Sequence, residues 1–275
     1  MTTEEPAALE LIGVQQVFNK GRVDEVHALR GIDVTLRRGE FVTVVGSNGA
    51  GKSTMVQAVA GSVRPTAGRV KMHGRDVTTW SDYKRAGLVA RVFDDPRIGS
   101  APELSIEDNL ALAMSRGSRR TLRFAVSNRR RATMRDHLAQ LGLGLENRLH
   151  DRVGMLSAGQ RQSLTMIMAG MQQPQVLLLD EHLAALDPAT AAKVLDLTSR
   201  IVRDMGCATL MVTHNMEHAI ALGDRLLVMS RGSVIADIVG PQGMSPQDVI
   251  DVIVGAGGSV NDRSLLPESL RGEGE

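Results

Sequence analysis

No segment constrains the fold of this chain more than Gly46-Ser47-Asn48-Gly49-Ala50-Gly51-Lys52-Ser53. An apolar, β-rich run from Phe41 to Val45 precedes it and a helical run from Thr54 to Ala60 follows, so the chain must turn sharply from strand to helix here. Glycines let successive backbone N–H groups curl inward around phosphate oxygens, a concavity that side chains would obstruct. The helix start adds its partial positive charge. The pattern therefore predicts a phosphate loop built from residues 46–54, with Thr54 in the first helical turn. Lys52 would reach the β- and γ-phosphates, and the Ser53 hydroxyl would ligate Mg²⁺. The alternative is an ordinary glycine-rich turn between strand and helix.

A buried parallel sheet is the natural setting for such a loop. Phe41 to Val45, Leu88 to Phe93, Val176 to Leu179, Thr209 to Val212 and Leu226 to Met229 are short apolar runs. The first four are continuous enough to be expected buried on both faces. Leu9 to Val17, Ile32 to Leu36 and Arg69 to Met72, with His73-Gly74 as a turn, predict a smaller antiparallel sheet near the N-terminus. Between Pro102 and Met171 strand signals give way to helical ones. Ser105-Ile106-Glu107-Asp108 reads as a capping box, and Asn128 to Leu141 and Ala158 to Met171 read as helices. Aromatic residues make up only 2% of the chain, so Val, Leu, Ile, Ala and 14 Met must supply the core. The fold class expected is α/β: a central, mostly parallel sheet, an N-terminal antiparallel β subdomain and an inserted α-helical subdomain.

Val176-Leu177-Leu178-Leu179-Asp180-Glu181 sets two carboxylates at the C-terminal end of a buried strand, where open α/β sheets bind ligands. Asp180 suits a residue that holds Mg²⁺ through its water shell, and Glu181 suits a group that polarises water attacking a γ-phosphate. A helix N-cap is the competing reading of the same acids. Leu156-Ser157-Ala158-Gly159-Gln160-Arg161-Gln162 lies about 105 residues after the phosphate loop and about 20 before the carboxylates. Ser157 would cap the following helix and, with the amides of Ala158 and Gly159, form a second anion site.

These residues resemble the LSGGQ signature of ABC-type ATPases, with Ala158 in place of the first glycine. The resemblance runs from about Leu9 to Val254 and makes the chain look like a phosphate-loop NTPase of ABC type. It implies ATP and Mg²⁺ as cofactors, with Ser157, Ala158, Gly159 and Gln160 binding nucleotide. Ala184-Ala185-Leu186-Asp187 resembles the family's D-loop, and Asp187-Pro188 is also a good helix start. His214 resembles the switch histidine that contacts the γ-phosphate, which implies a catalytic role with Glu181 and Lys52; a satisfied core histidine is the alternative. Phe18 is either the aromatic that stacks on adenine or a core residue. The chain departs from the family at Arg91-Val92-Phe93-Asp94-Asp95-Pro96, where Asp94 stands at the position of a glutamine that touches Mg²⁺ and relays nucleotide state to a membrane partner. An aspartate can still ligate Mg²⁺. His27 and His182 carry no assignment.

The resemblance is strongest to a bacterial subgroup of tryptophan/tyrosine-type importers. Its residues are Val92-Phe93-Asp94-Asp95-Pro96, Ile106-Glu107-Asp108-Asn109-Leu110-Ala111-Leu112-Ala113, Gly142-Leu143-Gly144-Leu145-Glu146-Asn147-Arg148 and Leu179-Asp180-Glu181-His182. This implies partners: a second ATPase subunit in a homodimer, an integral membrane permease and, indirectly, an extracytoplasmic solute-binding protein. The expected place is cytoplasmic, peripheral on the inner face of the membrane through the permease. Residues 1–255 are expected as one ATPase domain, with 1–98 and 173–255 as its core and 99–172 as the helical insertion. Residues 256–275 are expected as a polar, mobile tail.

Charge and cysteine content agree. Lys+Arg at 32 against Asp+Glu at 31 gives a net charge of +1, which leaves no global basic field for coating nucleic acid. The one cysteine, Cys207, can form neither an internal disulfide nor a Cys-based metal cluster. The acidic start and the absence of a long apolar run predict neither a secretory leader nor a membrane span. Eight arginines between Arg116 and Arg135 read as a solvated helical face, as a patch for lipid headgroups or permease loops, or as a nucleic-acid patch. The runner-up function is a soluble ABC-type ATPase acting on nucleic acid or ribosomes, and a third is a nucleotide-binding scaffold without turnover. Lys52, Asp180, Glu181 and His214 together argue against the third.

Overall fold

The computed structural model describes residues 6–116, 127–171 and 173–255. Arg119, Arg120, Arg123 and Phe124 of the arginine-rich stretch, and the tail from 256, lie outside the described residues. Two sheets organise the chain. The first is antiparallel, in the order β2-β1-β4-β5, from β1 (Leu9–Phe18), β2 (Val26–Leu36), β4 (Ala67–Met72) and β5 (Arg75–Asp76). The second has the order β10-β9-β3-β8-β7-β6, from β3 (Phe41–Gly46), β6 (Val89–Val92), β7 (Val176–Asp180), β8 (Ala208–Val212), β9 (Arg225–Ser230) and β10 (Ser233–Val239). All its pairings are parallel except β10 with β9.

The apolar runs occupy these strands because a sheet covered on both faces can tolerate uninterrupted hydrophobic sequence. In β7 the period of two sends Val176 and Leu178 to a core shared with α1 (Lys52–Ala60) and the antiparallel sheet. Leu177 and Leu179 point to the opposite core. There they meet α3 (Ile106–Met114), α4 (Asn128–Ala139), α5 (Ala158–Gly170) and α6 (Pro188–Met205). A third cluster joins Val45, Leu226 and Val228 to α7 (Met216–Leu222) and α8 (Pro246–Gly255). Methionines replace the missing aromatics as core filler, with Met55, Met72, Met134, Met166, Met168 and Met211 buried.

The expectation for β6 is corrected. β3, β7 and β8 are buried along nearly their whole length, but Val89 and Arg91 are only half-buried because β6 is the end strand in the sheet order. The chain also adds β10 at the other edge, whose half-exposed residues lack a strong apolar run.

One buried cation fixes α1. Arg85, in the short α2 (Asp82–Arg85), is 0% exposed and pairs with no carboxylate among the described residues. Its guanidinium donates to the carbonyls of Ala58 and Val59 in the last turn of α1, and to Val77 and Thr78 beyond β5. Burial lowers its pKa to about 10, so it stays charged and complements the negative end of the helix.

Candidate functional site

The glycine-rich loop expected to bind phosphate leaves β3 and enters α1 as its sequence requires. Gly51 has φ 103°, and a Cβ there would lie 2.5 Å from the Ala28 carbonyl oxygen. At Gly46 a Cβ would lie 2.2 Å from the Met229 carbonyl oxygen. Backbone therefore crowds the loop from outside, while Asn48, Gly49 and Ser53 are exposed. The β9–β10 turn clamps it further, because Gly232 N–H donates to the Ala50 carbonyl and Arg30 N–H to the Gly232 carbonyl. Lys52 is buried, and its Nζ donates to the carbonyls of Gly46 (2.6 Å) and Ser47 (3.0 Å), folding the ammonium over the mouth of the loop.

Donor chemistry fits a phosphate group. Gly51 provides α1 with no side-chain cap, and its first turn carries no acidic residue. By contrast α3, α4, α5, α6 and α7 are capped by Ser105, Ser127, Ser157, Asp187 and Asn215. Uncapped amides beside a lysine suit an oxyanion. The Ser53 hydroxyl and Asp180 carboxylate are hard oxygen donors. Among the described residues no cluster of three His, Cys, Asp or Glu side chains could hold a metal alone. That set suits Mg²⁺, which shares its coordination with phosphate and water.

At the strand ends, Asp180 pairs in register with Val212 of β8, which sets Glu181 beside the segment leading to His214. Glu181 Oε1 lies 2.6 Å from His214 Nε2. This bond, with the charges of His214 and Lys52 adding to it, holds the Glu181 carboxyl below its ordinary range against partial burial. The Glu181 backbone has φ +48°, uncommon for a residue with a side chain. His214 lies two residues beyond the end of β8, which stops at Val212. Asp180 is not open: Arg91 Nη2 donates to its Oδ2 at 2.5 Å.

Ser157 forms a complete capping box. Its Oγ accepts from Gln160 N–H, and Gln160 Oε1 accepts from Ser157 N–H. Ala158 is exposed whereas Gly159 is buried, and a Cβ on Gly159 would come within 2.3 Å of Thr190 Cγ2. The extra methyl thus falls at the position of the pair with room for it. No hydrogen bond among the described residues joins this segment to the phosphate loop. Asp187 accepts from Thr190 N–H and caps α6 behind Pro188.

Asp94 is exposed and has no side-chain partner among the described residues. The loop holding it is anchored instead by Gln162 Nε2, which donates to the Phe93 carbonyl. Phe18 is half-buried at the end of β1, outside the three buried clusters, and pairs with Val26 two residues before Ala28, whose carbonyl packs on Gly51. Two residues without a role from sequence acquire surroundings here. His182 is 2% exposed and bonded to Thr198, and Arg91 holds Asp180. The alternation along Val89-Ala90-Arg91-Val92 offers the only signal for Arg91, a cation on a strand face that should be apolar.

The chain matches the ABC transporter family over residues 29–184. It is 41% identical over 208 residues to a tyrosine transport ATP-binding protein of Clostridioides difficile, covering 75% of this chain and 82% of that relative. It is 34% identical over 235 residues to an aliphatic sulfonates import ATP-binding protein of Rhizobium johnstonii, covering 85% and 77%. The fold is similar to that of a dimeric bacterial ABC transporter cassette, with a TM-score of 0.70 at 25% identity over 84% of this chain and 98% of the other. Since the matched residues include the phosphate loop, the capped signature segment and the carboxylate-ended strand, the chain belongs to the ABC transporter family, as an ATP-binding subunit that hydrolyses ATP to drive transport.

Proposed function

We propose that two copies of this chain pair head to tail and close on two ATP molecules to power a solute importer. The observation that carries this reading is the separation of the uncapped start of α1 from the start of α5, where the Ser157 cap takes only the Gln160 amide, with no hydrogen bond between the two among the described residues. Each copy would supply the phosphate loop of one site and Ser157, Ala158, Gly159 and Gln160 of the other. Asp187, at the start of α6, would lie at the seam.

Within one site, the amides of residues 46–54 and the Lys52 ammonium would bind the phosphates, and Phe18 would stack on the base. Ser53 and Asp180 would hold Mg²⁺, with Asp94 nearby. Held by these residues, Mg²⁺ would neutralise charge on the phosphates. Glu181 accepts a proton from the attacking water, and His214, bonded to it, fixes its direction. Lys52, already turned inward, meets the charge that grows on the leaving phosphate.

A groove of about 400 Å³ lies where the sheet edge meets the helical insertion, with Tyr83 78% and Ile98 63% exposed on it. That exposed apolar rim, next to the Asp94 loop, is the surface we assign to the permease. No helix among the described residues is long and apolar enough to cross a membrane. Attachment to the cytoplasmic face would therefore come through that partner. Residues 99–172 form the helical insertion in this reading, within one ATPase domain of 1–255. The relatives carry different solutes, tyrosine and aliphatic sulfonates by name, so the permease and binding protein would set the solute.

Co-expression with the permease, followed by membrane fractionation and phosphate-release assays, tests the assignment. Membrane retention only with the permease, and turnover stimulated by it, is expected. Permease-independent turnover stimulated by nucleic acid or ribosomes would overturn it.

A further inference from the structure

Arg91 and Asp180 sit 89 residues apart in sequence and on one face of the sheet. The register pairs Arg91 with Leu178, and the period of two then brings Asp180 to the same side, toward α1. The guanidinium lies between two groups: its Nη2 is 2.5 Å from Asp180 Oδ2, and its Cζ is 4.5 Å from the centre of the Phe93 ring. The two charged side chains are 18% and 13% exposed.

This cation is held differently from a structural one. Arg85 donates to four carbonyls and is wholly buried. Among the described residues Arg91 has one hydrogen bond, through a single nitrogen, where Arg85 has four; its Nε, like that of Arg85, is buried without a partner. A fork with its donors so poorly used gains little from staying in place. It also has somewhere to go, since Arg91 lines the groove beside the Asp94 loop, whose wall carries a second carboxylate, Asp82, as well as a second cation, Arg116.

We propose that Arg91 is a displaceable counter-ion that competes with the divalent cation for the Asp180 carboxylate, so that metal–nucleotide binding requires Arg91 to swing toward the groove. The proposal rests on the reading of Asp180 as a metal ligand. A divalent cation drawn to Asp180 meets a guanidinium already bonded to Oδ2, and the two positive charges repel at that range. The empty-handed carboxylate would otherwise sit partly buried and uncompensated, so Arg91 stabilises the nucleotide-free chain while opposing the metal. A partner seated in the groove takes the space that Arg91 needs, which connects the docking surface to the metal site through one side chain.

The test measures Mn²⁺ affinity by electron paramagnetic resonance with a non-hydrolysable ATP analogue, for the parent, Arg91→Met, Arg91→Gln and Asp180→Asn. Arg91→Met keeps the stem and loses the charge, and should bind Mn²⁺ about tenfold more tightly, the scale of one charge-assisted contact. Arg91→Gln should shift the same way by less, and serves if the first variant does not fold. Both should melt at lower temperature than the parent in EDTA and gain more from Mn²⁺ with the analogue. Asp180→Asn should weaken Mn²⁺ binding. If Asp180→Asn leaves the affinity unchanged, the metal-ligand reading fails. If Asp180→Asn weakens it and neither Arg91 variant tightens it, the counter-ion role alone is overturned.

Discussion

The Glu181 carboxylate and the His214 imidazole meet at 2.6 Å across the C-terminal ends of neighbouring parallel strands. Two consequences follow from that contact. The carboxylate stays ionised through the neutral range, because the imidazole and the Lys52 charge both hold its pKa down. Its direction is fixed twice, by the bond to His214 and by the left-handed turn of its own backbone.

Replacing Glu181 with Gln keeps the shape and the possibility of a bond to His214 but removes the proton acceptor. Hydrolysis should fall by roughly 10²- to 10⁴-fold, the usual worth of a general base. ATP affinity should stay near the parental value, since the phosphate loop is untouched. Size-exclusion chromatography with ATP and Mg²⁺ should show an accumulated dimer. A variant that stays monomeric and hydrolyses at the parental rate would remove Glu181 from this role.

Ser157 caps α5, and in the proposed head-to-tail pair the segment it caps faces a second copy of the chain. Ser157→Ala removes the cap on Gln160 N–H and should cost about 1 kcal/mol of stability, measured by urea unfolding. Ser157→Arg should leave ATP binding intact and stop turnover, because its long side chain fills the space where the facing phosphate must dock. Lys52→Ala should lose ATP affinity by calorimetry, since it deletes the ammonium at the mouth of the loop. Mixing Ser157→Arg with Lys52→Ala places both lesions in one site of a head-to-tail pair and leaves the other complete. Partial recovery of turnover is expected, and none at any ratio would contradict the pairing.

His182 predicts an acid sensitivity that begins above the carboxylate range. Burial lowers its pKa to about 3, with the neighbouring His218 contributing in the same direction. Thr198 gives its hydroxyl hydrogen to the Val194 carbonyl, so His182 must donate from Nε2 and is neutral in the folded chain. Once unfolded it titrates near its ordinary value, so the unfolded state binds the extra proton as pH falls below about 6.5. Stability is full above that value and is lost toward pH 3, at up to about 1.4 kcal/mol per pH unit. His218, lowered by partial burial, adds with the same sign, whereas Glu181 acts only below its ordinary carboxylate range. Urea unfolding between pH 7 and 5 should show a shallower slope for His182→Gln than for the parent. Equal slopes would show that His182 is not held neutral.

Local chemistry made much of this chain legible. The loop at 46–53 needs only its own glycines and the strand and helix at its ends. The caps at Ser105, Ser157 and Asp187 each act on an amide three residues away. Interactions that close within a few residues leave their pattern in the sequence, which therefore determined the α/β class, the strand–loop–helix turn at 46–53 and the helix starts. Tertiary structure decided what depends on register between distant strands. Sheet order made β6 an end strand and left Arg91 half-buried, and the pairing of β6 with β7 then carried that cation to Asp180. The pairing of β7 with β8 brought His214 to Glu181, and packing between α6 and the sheet buried His182. None of these neighbours is near its partner in sequence except through strands that must first align, and a side chain's charge partner is set by that alignment.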